Sequence, residues 1–163
     1  MAALQPGSYA FKSDQNKKYL RYQHEINNLQ HVLQFSGEDV ASQYAKFQVE
    51  EDEQNPGLVH IKSSFNNKYW RRAEASSSWI VAEADKQERE QNQWSCTLFK
   101  PEVVQLTPDS GNNTIGVFRL VHKQLGHFIE PFSANGFNSV LYAGRETQPD
   151  NRNVFFIVEK LTG

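Results

Sequence analysis

The sequence predicts an all-β fold, a β-trefoil of twelve strands in three pseudo-repeats, on three observations. One hairpin is written three times: "FKSDQNKKYLRYQ" at 11–23, "IKSSFNNKYWRRA" at 61–73 and, more degenerate, "LVHKQLGHFIEPF" at 120–132. Phe11, Ile61 and Leu120 each stand eight positions before an aromatic, Tyr19, Tyr69 and Phe128. Phe47, Phe99 and Phe156 follow those aromatics by 28, 30 and 28 residues, with the extended runs "HVLQF", "WIVAEA" and "SVLYAG" between. Landmarks recurring at a fixed period mark a repeat architecture whose units bury one shared core.

Each unit reads as four short apolar runs separated by Gly, Asn, Ser and Pro turns. The first unit has strands at about 8–13, 17–23, 31–36 and 44–50, and the second at about 57–63, 67–73, 79–84 and 95–100. The third has about 116–122, 126–132, 139–143 and 153–160. The units span about 8–50, 57–100 and 116–160 of a single domain, 1–163. Twelve short strands of even spacing suit a closed or sandwiched sheet, and threefold repetition selects a barrel of six strands capped by three hairpins. Residues 84–93, "ADKQEREQNQ", are polar helix formers and read as an exposed turn or short helix. Tyr19, Tyr69 and Phe128 are expected to pack the shared core, as are Phe47, Phe99, Phe156 and Cys96. Strict alternation from Tyr69 turns Arg72 outward.

At 163 residues with 38% hydrophobic content the chain is long enough to bury a core. Seventeen basic residues against nineteen acidic ones give a net charge of −2, which excludes a long-range field toward nucleic acid or anionic lipid. No apolar run suggests a leader or a membrane insertion, and a single cysteine excludes an internal disulfide. A cytoplasmic or nucleocytoplasmic location is expected, with the sequon at Asn112 unused.

Catalytic patterns are missing. The five histidines lack metal-ligand spacing, no Gly-rich phosphate loop or nucleophile elbow occurs, and Glu50-Glu51-Asp52-Glu53 reads as a solvated loop. No enzyme, metal or cofactor is expected. The links between second and third strands, "HEINNLQ", "AEASSSW" and "SANGFN", combine amides and hydroxyls with apolar or aromatic neighbours. Sugars ask for that mixture, although loops are polar for other reasons too.

The segments "KYLRYQ", "LQFSGED", "FQVE", "GLVHIKS" with "NKYW", "SWIVAEA", "CTLFKP" and "RLVHKQLGHF" together resemble the amaranthin-like plant lectins, the agglutinin-domain family. The likeness runs from about Ser8 to Glu159, in order. It implies a β-trefoil that binds glycans of the galactose and N-acetylgalactosamine type, such as the T-antigen disaccharide. The family's site lies where two subunits meet, which for one domain per chain implies a homodimer. Ser76, Ser77 and Ser78 stand where the family has an Asn-His-Tyr-type run before Trp79. The resemblance therefore makes Ser76, Ser77, Ser78 and Trp79 the primary sugar contact, with His127, Asn135 and Asn138 as further candidates. Two other readings share the fold: a fascin-like protein-interaction module, which would need exposed basic clusters such as Lys17-Lys18-Arg21 and Lys68-Arg71-Arg72, and the targeting domain of a larger toxin.

Overall fold

Alternating apolar and polar residues resolve into twelve strands in a computed structural model that describes residues 2–107, 113–145 and 152–162. They are β1 (Gly7–Ser13), β2 (Tyr19–Ile26), β3 (Leu29–Gly37), β4 (Phe47–Glu51), β5 (Val59–Ser63) and β6 (Lys68–Arg72), then β7 (Ile80–Ala84), β8 (Phe99–Leu106), β9 (Thr114–His122), β10 (His127–Ala134), β11 (Phe137–Arg145) and β12 (Phe156–Leu161). The all-β expectation holds. Residues 84–93 form bends and turns without a helix, and the only helical turns among the described residues are 3-10 turns at Gln43–Ala45 and Arg152–Val154. The sequon at Asn112 lies outside the described residues.

Antiparallel pairing closes a circuit: β1 with β4, β4 with β5, β5 with β8, β8 with β9, β9 with β12, and β12 back to β1. Closure leaves that ring without an edge strand. The pairs β2–β3, β6–β7 and β10–β11 form three hairpins outside the ring. They meet one another through Val32 opposite Val81, Gln34 opposite Val140, and Trp79 opposite Tyr142.

Inside the ring lie Phe11, Phe47, Ile61, Phe99, Leu120 and Phe156, all fully buried, as their recurrence predicts. Each such side chain contributes about 1.5–3 kcal/mol through burial. The hairpin residues that join them are Leu20, Trp70 and Ile129, one position later than expected. Opposite this point the partner strand of each hairpin carries one extra residue, Ser36, Glu83 and Gly144, while the first strand stays regular. Alternation along that regular strand puts Leu20, Trp70 and Ile129 on the opposite face to the aromatic before them. Tyr19 is only half-buried, and Tyr69 and Phe128 lie at the margin of the main apolar cluster. Their rings do different work there. Tyr19 Oη donates to Glu159 and Tyr69 Oη to Glu50, each at 2.5 Å. Burial first, and then the adjacent carboxylate, push both phenols up to about 12. Lys12, Lys62 and Arg119 lie over the rings of Tyr19, Tyr69 and Phe128 at 5.0, 5.4 and 5.3 Å.

Cys96 is buried beside Leu58 and Leu98, and burial pushes its thiol up. Both effects suppress the reactive thiolate. The native protein should therefore resist a water-soluble thiol reagent and release one equivalent of colour only after denaturation; rapid labelling of the folded protein would contradict this placement.

Candidate functional site

The link between β6 and β7 is held from inside. Arg72, expected to face outward, is buried: it stands two residues beyond Trp70 and shares the inward face of β6. Its Nε donates to Ser77 O at 2.7 Å, Nη2 to Ala75 O at 2.8 Å and Nη1 to Gln124 Oε1 at 3.0 Å. The backbone carbonyls of a polar surface link thus meet a fixed guanidinium fork. Ser77 Oγ accepts from Trp79 N at 3.1 Å, and the exposed Ser76 donates to Glu74 at 2.8 Å.

Trp79 leaves this link half-buried against the third hairpin. Its ring centroid lies 4.7 Å from those of Phe137 and Tyr142 and 5.9 Å from that of Phe132. Phe132 and Tyr142 are themselves stacked at 4.3 Å. Four aromatic rings therefore gather where two hairpins touch. On the Phe132 and Tyr142 side runs an open groove of about 380 Å³, also lined by Gln15, Glu130, Ser133 and Asn153.

The residues singled out from the sequence fall around this cluster unequally. Ser78 O accepts from Ala143 N at 2.9 Å, and His127 Nδ1 donates to Ala143 O at 2.9 Å, so both meet one residue of β11. Asn135 has φ 52° and Gly136 φ 86°, a left-handed pair that makes the tight β10–β11 turn. Asn138 Oδ1 accepts from Ser139 Oγ at 3.1 Å beside Phe137. Asn138 and Asn135 thus flank the aromatic cluster, whereas Ser76 lies out on the link. Phe132, Phe137, Tyr142, Glu130 and Arg72 were missed by the sequence reading. Three aromatics within eleven residues of one hairpin were the available signal. His122, beneath, is fully buried, with Nδ1 accepting from Leu125 N at 3.1 Å. Burial, then the charges of Arg72 and His127, lower its pKa to about 3, so it stays neutral.

A family model of the Agglutinin domain matches residues 3–159. The chain belongs to the agglutinin-domain family. No curated protein matches it. Similar solved structures are the designed threefold-symmetric protein ThreeFoil (TM-score 0.62, 13% identity, covering 95% of this chain and 99% of that one); SeviL bound to the asialo-GM1 saccharide (0.59, 14%, 97% and 100%); and the BEL beta-trefoil in an apo crystal form (0.63, 12%, 99% and 97%). At such identities the likeness shows the fold alone.

Elsewhere in this agglutinin domain, the acidic run is not a solvated loop. Glu50 takes Tyr69 and Gln87, Glu51 accepts from Ala2 N and Gly57 N, and Asp52 is 3% exposed. Asp52, His60 and Thr97 form a line of hydrogen bonds, 2.7 Å on each side of the imidazole. Its composition suits a nucleophile, base and acid, but His60 and Thr97 are wholly buried, and no substrate reaches the hydroxyl. Among the described residues no three or more His, Cys, Asp or Glu side chains could hold a metal ion. Most of the basic clusters are satisfied: Lys17 pairs with Asp14, Lys18 with Glu38, Lys68 with Asp85 and Arg71 with Glu83, and Arg72 is buried, while Arg21 makes no ion pair among the described residues. That weakens the interaction-module reading, which needs exposed, unpaired cations.

Proposed function

We propose that this agglutinin domain is a non-enzymatic β-trefoil lectin of three pseudo-repeats, 8–50, 57–100 and 116–160, for glycans containing galactose or N-acetylgalactosamine, such as the T-antigen disaccharide. The observation that carries the reading is the gathering of Trp79, Phe132, Phe137 and Tyr142 beside an open groove lined with amide, hydroxyl and carboxyl groups. Aromatic faces take the apolar face of a pyranose, and fixed polar groups take its hydroxyls. SeviL, a similar structure, is bound to a saccharide, which supports sugar binding here without choosing the sugar. Ser76, Ser77 and Ser78 with Trp79 form the first contact, and His127, Asn135 and Asn138 complete it. A shallow site of this kind binds one sugar at about 0.1–10 mM. A two-fold homodimer supplies useful avidity and brings a second surface to the sugar.

Calorimetry with galactosyl-β1,3-N-acetylgalactosamine tests the reading. Trp79→Ala should lose at least about tenfold in affinity, on the order of 1.4 kcal/mol, with an unchanged circular dichroism spectrum. Full affinity in that variant would exclude Trp79 as the platform. A folded wild-type sample silent toward all galactosides would defeat the function.

A further inference from the structure

The groove beside β10 has a counterpart one unit away. Arg21 and Tyr22 follow Tyr19 as Glu130 and Pro131 follow Phe128. Tyr44 precedes Phe47 by three residues, as Asn153 precedes Phe156. Phe65 precedes Tyr69 by four, as Gln15 precedes Tyr19. Those positions line a second open groove of about 330 Å³: Arg21, Tyr22, Gln23, His24 and Tyr44 of the first unit with Phe65 of the second. In the second unit the matching place is occupied by the chain itself. Arg72 bonds to Gln124 there, and Arg71 stacks on Trp94 at 5.1 Å while pairing with Glu83 at 2.9 Å.

Two differences give the first-unit groove its own chemistry. Its wall is aromatic and open: Phe65 is 40% exposed, with its ring 4.6 Å from that of Tyr44 and 5.3 Å from that of Tyr22. Tyr22 is in turn fixed by a 2.7 Å hydrogen bond between its Oη and His31 Nδ1. An exposed phenylalanine supported by two tyrosines is a platform rather than a core residue. The second difference is a cation without a counter-charge. Arg21 lies over the Tyr44 ring at 4.8 Å, as Arg71 lies over Trp94. Ser36 stands where Glu83 neutralises Arg71, and its hydroxyl accepts from Gln23 instead, at 3.2 Å. Arg21 makes no ion pair among the described residues, and its Nε is buried without a hydrogen-bond partner. A stacked guanidinium is oriented in advance, with its planar fork left for a carboxylate.

We propose that this groove is a second saccharide site, selective for a sugar bearing a carboxylate, such as a sialic or hexuronic acid. Phe65 and Tyr44 take the apolar ring face, Arg21 takes the carboxylate, and Gln23 and His24 take hydroxyls. The inference rests on the lectin reading but not on the Trp79 site. The third-unit groove places Glu130 where this one has Arg21, so the two grooves favour sugars of different charge.

Nitrogen-15-labelled protein titrated with lactose, 3′-sialyllactose and glucuronic acid, followed by amide shifts, tests it. The acidic sugars should move the amides of Arg21 to His24, Tyr44 and Phe65, and lactose should not. Arg21→Gln should weaken the acidic sugars at least tenfold and leave the lactose response near Trp79 unchanged; Phe65→Ala should weaken them as well. A lactose response near Trp79 with none to acidic sugars at Arg21 would sink the second site alone. Acetate giving the same shifts at the same concentration would reduce the groove to a general anion contact and overturn the proposal. Silence of lactose with the acidic response intact would defeat the galactose reading and leave this site standing.

Discussion

Trp70→Ala should lower the free energy of unfolding by about 3–5 kcal/mol, the cost of an uncollapsed cavity in a packed core. A domain of this size holds about 8–24 kcal/mol in all, at roughly 0.05–0.15 kcal/mol per residue, so the variant should unfold at a far lower urea concentration. Trp70 has no exposed surface, and its ring lies 5.7 Å from Phe11, 5.4 Å from Phe47 and 5.9 Å from Phe99. Those three partners come from β1, β4 and β8, so the indole ties one hairpin to three strands of the ring. Its pseudo-equivalents, Leu20 and Ile129, are smaller, and the core cannot close over the vacancy by copying them. The indole Nε1 is buried without an acceptor. Trp70→Phe removes that orphaned donor together with one ring, so it should cost less, about 1–2 kcal/mol. Urea titrations of both variants decide the matter. A loss below about 1 kcal/mol for Trp70→Ala would contradict the core placement.

The all-β strands were legible because strand and turn signals are local. Asn135-Gly136 forms a tight turn whatever lies across the barrel, and period-two alternation marks a strand without reference to its partner. The phase of the alternation, which face meets the core, was not legible. Counting on from Tyr69 puts Trp70 and Arg72 outside. The face that meets the core is the other one, so Trp70 and Arg72 turn inside, and likewise Leu20 rather than Tyr19 and Ile129 rather than Phe128 join the main cluster. Both faces carry an apolar or aromatic residue here, as Tyr69 and Trp70 do, so spacing alone does not say which one meets the core.

Trp79 and its serines could be named through the family resemblance. The rings around Trp79 could not, because Phe132, Phe137 and Tyr142 lie on the third hairpin, more than fifty residues away. Contact between hairpins is a matter of how the cap closes, and spacing along the chain is silent on it. The second groove was hidden for a related reason. Only the alignment of repeats in space shows that Ser36 fills the place of Glu83 and leaves Arg21 without a carboxylate. The acidic run was misread because composition gives charge but not partners.

Asp52→Ala should cost a further large amount, about 3–5 kcal/mol, since it strands a buried donor set around an empty place. Asp52 accepts from His60 Nε2 at 2.7 Å, Asn55 Nδ2 at 2.8 Å, Gln54 N at 3.0 Å and Arg89 Nε at 3.1 Å. A carboxylate can only accept, so Nε2 of His60 carries the proton in that contact. Burial alone would raise the pKa of Asp52, but these donors outweigh it and hold the carboxyl well below the usual carboxylate range. The folded protein therefore binds this proton less readily than the unfolded chain, whose carboxyl titrates near 3.8. The resulting stability is fully present above that pH and is lost as pH falls toward and through the lower folded value. Asp52→Asn keeps the shape and removes the titration. The stability gap between wild type and Asp52→Asn should be constant from pH 7 to about pH 5. Below about pH 4 it should shrink by up to roughly 1.4 kcal/mol per pH unit, because the unfolded wild type gains a proton that the folded form refuses. Paired urea titrations at pH 7, 5, 4 and 3 measure that gap, and a gap unchanged at pH 3 would mean that the Asp52 carboxylate gains nothing from His60 and Arg89 in the folded protein.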